Sequence, residues 1–199
     1  MIGYVESNFV LELALGQEGA PDARQLLEAA QAAEIELVIP VFALCEPYGT
    51  VTSRARLRRQ SFRPIEDRLR DLQRNQGNQD LVEGLRTHLA SLLELDRNEM
   101  NALEQVTRDL LTCASVLPLT PEVHEASSQY QNEHDLAPGD AMIYATVIGD
   151  AAVRDATTEK FFVTRNSKDF EAPAIYEQLR EHRCELLFDF AAGRVLIGR

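Results

Sequence analysis

Five residues with oxygen-bearing side chains stand where predicted strands end or predicted helices begin. Glu6 follows a short apolar run, and Glu46 lies a turn or two into the helix after a second apolar strand. Asp140 opens an apolar helix, while Asn166 and Asp169 follow directly after the strand KFFVT. In a parallel sheet all five reach the carboxyl edge, where ligands of open α/β sheets bind. The sequence therefore predicts that they converge on one crevice.

Converging carboxylates repel one another and raise the pKa of at least one member, so such a cluster is unfavourable without a cation. Hard oxygen donors suit Mg²⁺ or Mn²⁺ rather than zinc. A divalent cation there can activate a water and stabilise the charge that develops on a phosphodiester. Each residue singly also fits an ordinary role at a strand end, helix cap or turn, so this prediction of metal-assisted hydrolysis rests on the set.

The elements that must position these residues alternate between strand and helix. The first strand ends at Glu6, and Ser7 or Asn8 can cap the helix that begins at Phe9. A second helix and the β-branched run IELVIP follow, which indicates a right-handed crossover to a parallel strand that ends at Pro40.

Residues 52–112 contain no strand candidate, and Pro47 should bend or break the helix that precedes them. Their periodicity predicts two or three helices, at about 64–74, 79–95 and 98–113. We expect one α/β domain over residues 1–199, with a central, mainly parallel sheet flanked by helices and an all-helical insertion at 52–112.

Charge is unevenly distributed along the chain. The formal net charge is −12, yet eighteen of the twenty basic residues are Arg, and eight of those lie between Arg54 and Arg74. This pattern indicates one basic patch on an acidic protein, and it argues against a protein coated in phosphate-binding positive charge.

Three cysteines, Cys45, Cys113 and Cys184, are scattered without metal-ligand spacing, which is typical of reduced thiols in a cytosol. The chain opens on a strand pattern rather than a signal peptide, and no apolar run approaches the roughly 18 residues of a spanning helix. We therefore expect a cytoplasmic protein without a membrane partner.

The candidate site residues lie in four segments: YVESN, ALCE, LAPGDAMIYATVIG and FVTRNSKDF. These segments resemble the PIN domain (PilT N-terminus), a family of metal-dependent nucleases that includes the ribonuclease toxins of bacterial toxin–antitoxin pairs. They are similar to the family's strand–acid–Ser/Thr–Asn start, its second-helix acid, its helix opening on Asp, and its strand followed by Thr-x-Asn/Asp and Asp/His-Phe. The resemblance spans residues 1–50 and 114–190 in the family's order and leaves the helical block uncovered.

The resemblance implies a PIN-like fold and a catalytic site that binds Mg²⁺ or Mn²⁺. Its metal ligands and catalytic acids would be Glu6, Glu46, Asp140 and Asp169, with Asn166 as a further ligand. Its supporting hydrogen-bonding residues would be Ser7, Asn8 and Thr164. The family's first acid is usually Asp where this chain has Glu, and compact members have a shorter separation between the second and third acids. Toxin-like members often dimerise and bind an antitoxin, so the resemblance also implies a homodimer and a cognate inhibitor protein.

The arginines that follow the helix carrying Glu46 could guide an RNA backbone toward the metal, because Arg binds phosphate through its forked donors. The candidates are Arg54, Arg56, Arg58, Arg59 and Arg63. Acids are interleaved farther along the same segment, so a solvated helix face with intrahelical ion pairs is an equal alternative.

We predict a metal-dependent endonuclease, acting on single-stranded or structured RNA, that hydrolyses phosphodiester bonds with a cation-activated water. The alternative is a catalytically weakened PIN-like module that binds RNA or protein. A phosphotransfer α/β domain fits less well, because no second acid stands close after Glu6 to act with it.

Overall fold

The computed structural model describes residues 1–198; Arg199, the last residue of the expected domain, lies outside the described residues. Its strands are β1 (Ile2–Val5), β2 (Glu36–Pro40), β3 (Ala114–Leu117), β4 (Lys160–Val163) and β5 (Cys184–Leu187). They form one sheet in the order β3–β2–β1–β4–β5, and every pairing is parallel. The predicted α/β class, with a central parallel sheet flanked by helices, is confirmed.

Residues 1–198 contain nine α-helices, of which eight lie between strands and the last follows β5. They are α1 (Ser7–Leu15), α2 (Ala20–Gln31), α3 (Val41–Gln73), α4 (Gln79–Cys113), α5 (Pro121–His134), α6 (Pro138–Val153), α7 (Ser167–Phe170), α8 (Pro173–Glu181) and α9 (Phe190–Ile197). A 3₁₀ turn, Gln76–Asn78, joins α3 to α4. None of these described helices is both long enough and apolar enough to cross a membrane.

The order of the strands places a crevice beside β1. The chain passes from β1 to β2 and β3 on one side, and then returns to β4 and β5 on the other side. β1 and β4 are therefore neighbours where the strand order reverses, and the crevice of an open α/β sheet lies outside the carboxyl ends of such a pair. Glu6 and Thr164 directly follow these two strands.

Gly3 in β1 leaves room for an aromatic ring of the neighbouring strand. It is in register with Phe161 of β4, and a Cβ at position 3 would lie 2.5 Å from Phe161 Cζ. The ring of Phe161 is fully buried and also lies against Gly193 of α9, where an added Cβ would lie 3.4 Å from Phe161 Cε2. One aromatic side chain thus fills the space over the centre of the sheet.

The helical segment differs from the sequence prediction in its continuity. α3 runs through Pro47 and Pro64 without a break, and α4 spans both of the helices expected after residue 79. The buried α4 residues Val82, Asp96, Leu103 and Leu110 recur at multiples of seven residues, which is the spacing of a coiled-coil seam. An interior proline costs a helix roughly 3 kcal/mol, so the two prolines of α3 require compensating packing, which this seam can supply.

We expect Gly3→Ala to lower the free energy of unfolding by about 1–3 kcal/mol, because the new methyl group must displace Phe161 from a filled core. Gly149→Ala is the matched control: this glycine is exposed in α6 with nothing within 4 Å of its Cβ position, so alanine should stabilise the helix by up to about 1 kcal/mol. Urea denaturation measures both, and equal effects would contradict the packing role of Gly3.

Candidate functional site

Glu6 joins the ends of β1 and β4. Glu6 is the N-cap of α1, and its Oε2 accepts a hydrogen bond from the backbone N–H of Asn8 at 2.8 Å. From the sequence alone, this capping role is predicted for Ser7 or Asn8. Glu6 Oε1 accepts a hydrogen bond from Thr164 Oγ1 at 3.1 Å. Glu6 is 4% exposed and Thr164 is fully buried. Asn8 thus serves the site through its backbone.

Asn166 brings two further acids together. Its Nδ2 donates to Asp169 Oδ2 at 2.7 Å and to Asp140 Oδ1 at 3.3 Å. Its backbone N–H donates to Thr164 Oγ1 at 3.0 Å, and the same hydroxyl donates to Glu6. Asp140 lies in the first turn of α6 and Asp169 in α7. A continuous chain of hydrogen bonds therefore runs from β1 to α6.

Glu46 reaches the crevice from α3. Ser7 Oγ at the start of α1 donates a hydrogen bond to Glu46 Oε2, which ties the two helices together. A Cβ on Gly139 would lie 3.4 Å from Glu46 Oε1 and 3.1 Å from Phe42 Cε1. The absence of a side chain at this glycine lets the start of α6 lie against α3, and this close approach places Asp140 near Glu46. Glu46 itself is exposed.

Burial and neighbouring charges shift the ionisation of this site. Burial raises the pKa of Glu6 to about 7, the hydrogen bonds from Asn8 and Thr164 oppose that rise, and the charge of Asp140 adds to it. Burial likewise raises the pKa of Asp140, and the nearby negative charges of Asp169 and Glu46 add to the rise. The acids are close enough to affect one another's protonation.

The carboxylates of this crevice lack basic partners. We call them the four site acids: Glu6, Glu46, Asp140 and Asp169. Within residues 1–198 none of them forms an ion pair, and their polar partners are neutral donors. Among the same residues, no three His, Cys, Asp or Glu side chains are grouped so that they could hold a metal ion. The oxygen atoms of the four site acids are suitable ligands for a hard cation. Their present spacing, however, is that of side chains joined by hydrogen bonds rather than that of a formed metal site.

Two residues that the sequence analysis missed, Glu12 and Arg165, fix the loop that carries Thr164 and Asn166. Glu12 of α1 is 3% exposed; its Oε1 accepts from Arg165 Nη1, and its Oε2 accepts from the backbone N–H of Gly19 at 2.8 Å. A Cβ on Gly19 would lie 3.2 Å from that oxygen. A lone acid in the apolar run FVLELAL was the available signal, since buried acids need partners.

A second network fixes the far end of α6. Tyr4 of β1 donates a hydrogen bond from its hydroxyl to Asp150 Oδ2 at 2.8 Å. Arg154 Nε also contacts Asp150 Oδ2 at 2.9 Å, and Arg154 Nη2 lies 2.9 Å from Glu36 Oε1 of β2. These contacts hold against the sheet the same helix whose first turn presents Asp140.

The five candidate RNA-binding arginines divide into two groups. Arg58 and Arg59 face α4: Arg58 Nε and Arg59 Nε lie 2.9 Å and 3.0 Å from the carboxylate of buried Asp96, and Arg58 also pairs with Glu99. The remaining three are exposed and form no ion pair with any residue that the structure describes: Arg54, Arg56 and Arg63. Within residues 1–198, this second group has no ion pair to break before it can bind a ligand.

No protein-family model matches the chain, and no curated protein matches it. Among solved structures, it is similar to the crystal structure of VapBC2 from Rickettsia felis bound to a DNA fragment from their promoter. The two chains are 12% identical, the match covers 94% of this chain and 97% of that one, and the TM-score is 0.46. A similarity at this TM-score assigns neither a family nor a function to the chain.

The raised pKa of Glu6 predicts a pH-dependent stability in the metal-free protein. The pKa rises from 4.5 to about 7 on folding, so the folded chain holds the Glu6 proton more tightly than the unfolded chain does. The stabilisation that results is complete below pH 4.5 and is lost as the pH rises to 7. Glu6→Gln removes the charge and keeps an acceptor for the Asn8 N–H. As the pH rises from 4.5 to 7, the free energy of unfolding of this variant should increase by about 3 kcal/mol relative to wild type, because a tenfold change in an equilibrium constant corresponds to about 1.4 kcal/mol.

Urea denaturation in chelator at pH 5, 6, 7 and 8 measures this gain. Most of it should fall between pH 5 and pH 7, and little should follow above that range. A stability difference between the two proteins that is independent of pH would show that Glu6 is ionised throughout.

Proposed function

We propose that the protein is a cytoplasmic, metal-dependent endoribonuclease with a PIN-like fold. The observation that supports this proposal best is the convergence of the four site acids at the carboxyl ends of β1 and β4 without a basic partner among residues 1–198. Their mutual repulsion is relieved when a cation binds between them, so the site favours cation binding.

The donor set defines which residues would hold the cation. They would be the four site acids together with the side-chain amide of Asn166, which lies between Asp140 and Asp169. Five oxygen donors and no nitrogen or sulfur ligand suit Mg²⁺ or Mn²⁺. When bound, such an ion supplies Lewis-acid stabilisation of the phosphodiester and lowers the pKa of a water.

The chain's own groups prepare this site. The hydroxyls of Ser7 and Thr164 orient the carboxylates of Glu46 and Glu6, so both acids keep a fixed position relative to α1. Glu6 takes up a proton near neutral pH in the metal-free chain, and cation binding would release it. Metal affinity should therefore rise with pH up to about pH 7.

The exposed arginines of α3 support RNA as the substrate, because they extend from the same helix that presents Glu46. A cognate inhibitor protein and a homodimer are further proposals that come from the family resemblance alone. The second candidate function is a catalytically weakened module that binds RNA or protein. It is favoured by the first acid being Glu, and by the lack, within residues 1–198, of three grouped side chains that could hold a metal ion.

Thermal unfolding with and without millimolar Mn²⁺ tests the metal site. Binding to the native state raises stability by mass action, by about 2.7 kcal/mol when the free ion is at a hundred times its dissociation constant. Wild type should be stabilised and Asp140→Asn should not. Asp80→Asn, the same chemical change in the first turn of α4 and away from the crevice, should respond like wild type. The same response in all three proteins would place any metal elsewhere.

Cleavage of single-stranded RNA tests the chemistry. Asp140→Asn should lower the rate by at least roughly a hundredfold, because a displacement of about 1 Å at a reacting centre already costs that much. Asp80→Asn should cleave normally. Equal cleavage by wild type and Asp140→Asn would point to a contaminant, whereas a Mn²⁺-dependent stabilisation without cleavage by any protein would favour the binding module.

A further inference from the structure

The segment 54–74, which we call the basic arm, comprises the later part of α3 and its C-cap Arg74, and it extends beyond the sheet from the helix that presents Glu46. We propose that the basic arm binds the phosphates of the RNA at a distance from the cleaved bond, so that efficient cleavage requires an RNA that spans both places. This inference rests on the proposed ribonuclease function and adds to it a substrate-binding surface and a minimum substrate length.

Positive charge is concentrated in the basic arm, and negative charge is concentrated in α4, the helix that packs against it. The basic arm contains eight Arg and three acids, whereas α4 contains three Arg and seven acids. No acid occurs between Glu46 and Glu66, a stretch that holds five of the eight arginines. On a chain with a net charge of −12, this is a concentrated positive surface, and it begins eight residues after Glu46 along the chain.

The arginines that face away from α4 form a row. Arg56, Arg63 and Arg70 are seven residues apart, which is close to two helical turns, and all three are exposed. Arg56 and Arg63 form no ion pair among residues 1–198. Arg70 pairs with Asp67 at 3.0 Å, but an exposed pair of this kind contributes little and exchanges readily with a phosphate.

The basic arm is braced before any ligand binds. Arg58 and Arg59 pair with Asp96 of α4, and Leu69 near the end of the arm is 2% exposed. Val82 at the start of α4 is 1% exposed, so the seam stays packed to the tip. A preorganised surface loses little conformational entropy on binding, which favours affinity.

The position of each arginine along the basic arm determines its distance from Glu46. Arg56 and Arg63 follow Glu46 by ten and seventeen residues, which correspond to about 15 Å and about 25 Å along a helix. At about 3.4 Å per nucleotide in a stacked strand, the longer distance equals roughly seven nucleotides. An RNA of three nucleotides can occupy the crevice without reaching Arg63, whereas one of twelve nucleotides reaches both.

The test compares Arg56→Gln/Arg63→Gln with Arg97→Gln/Arg108→Gln, a control pair with the same charge change on exposed positions of α4. Binding of a single-stranded 12-mer is measured on an Asp140→Asn background against salt concentration. Loss of two phosphate contacts should lower the slope of log K against log salt by about 1.4, and affinity at 0.1 M salt by roughly twentyfold. The control pair should behave like the unmodified protein, and Arg56→Lys/Arg63→Lys should restore most of the binding.

Cleavage on the otherwise wild-type background supplies the length dependence. With the arm variant, kcat/KM should fall roughly twentyfold for the 12-mer and stay unchanged for a trimer, because only the longer RNA reaches the arm. Equal losses for both lengths, equal losses in the control pair, or no loss at all would overturn the inference while leaving the ribonuclease in place. Failure of the wild type to bind or cleave either RNA would overturn the proposed function, and the inference with it.

Discussion

Glu6 buries a carboxylate where β1 passes into α1, and only neutral donors within residues 1–198 contact it. A charge in such a place is costly unless hydrogen bonds or a cation compensate for desolvation. The backbone N–H of Asn8 supplies one donor and Thr164 of the neighbouring strand supplies the other. Since Thr164 also accepts from Asn166, the position of the β4–α7 loop follows from the need to satisfy this one carboxylate. The arrangement of Asp140 and Asp169 around Asn166 follows in turn.

The sheet could be predicted from the sequence because each of its strands is indicated by residues that are neighbours along the chain. Short apolar runs separated by helical periodicity identify parallel strands, and the positions of Glu6 and Asp140 relative to those runs place both at the carboxyl edge. The continuity of α3 could not be predicted in this way. Pro47 and Pro64 are local breaking signals, whereas the contacts that overrule them, such as Arg58 with Asp96, join residues 38 positions apart.

The contacts inside the site lay beyond sequence reasoning for a similar reason. Asn166 and Asp169 were identified as members of the set, but the amide of Asn166 between two carboxylates depends on how α6 meets the β4–α7 loop. Glu12 and Arg165 are 153 positions apart, and nothing in either local sequence names the other as its partner. Gly139 lies in α6, and its role is to let this helix approach α3, which no local sequence pattern indicates.

The continuity of α3 also makes the molecule long in one direction. Val51 is the last α3 residue that belongs to the main core, and Gln73 lies 22 residues farther on, which corresponds to about 33 Å of helix. On the other side of Val51, the α3 residues Ala43, Leu44 and Pro47 are buried, so the part of α3 that carries Glu46 is anchored in the core. A sideways force at Gln73 therefore bends the projecting part of the helix before it displaces the carboxylate of Glu46.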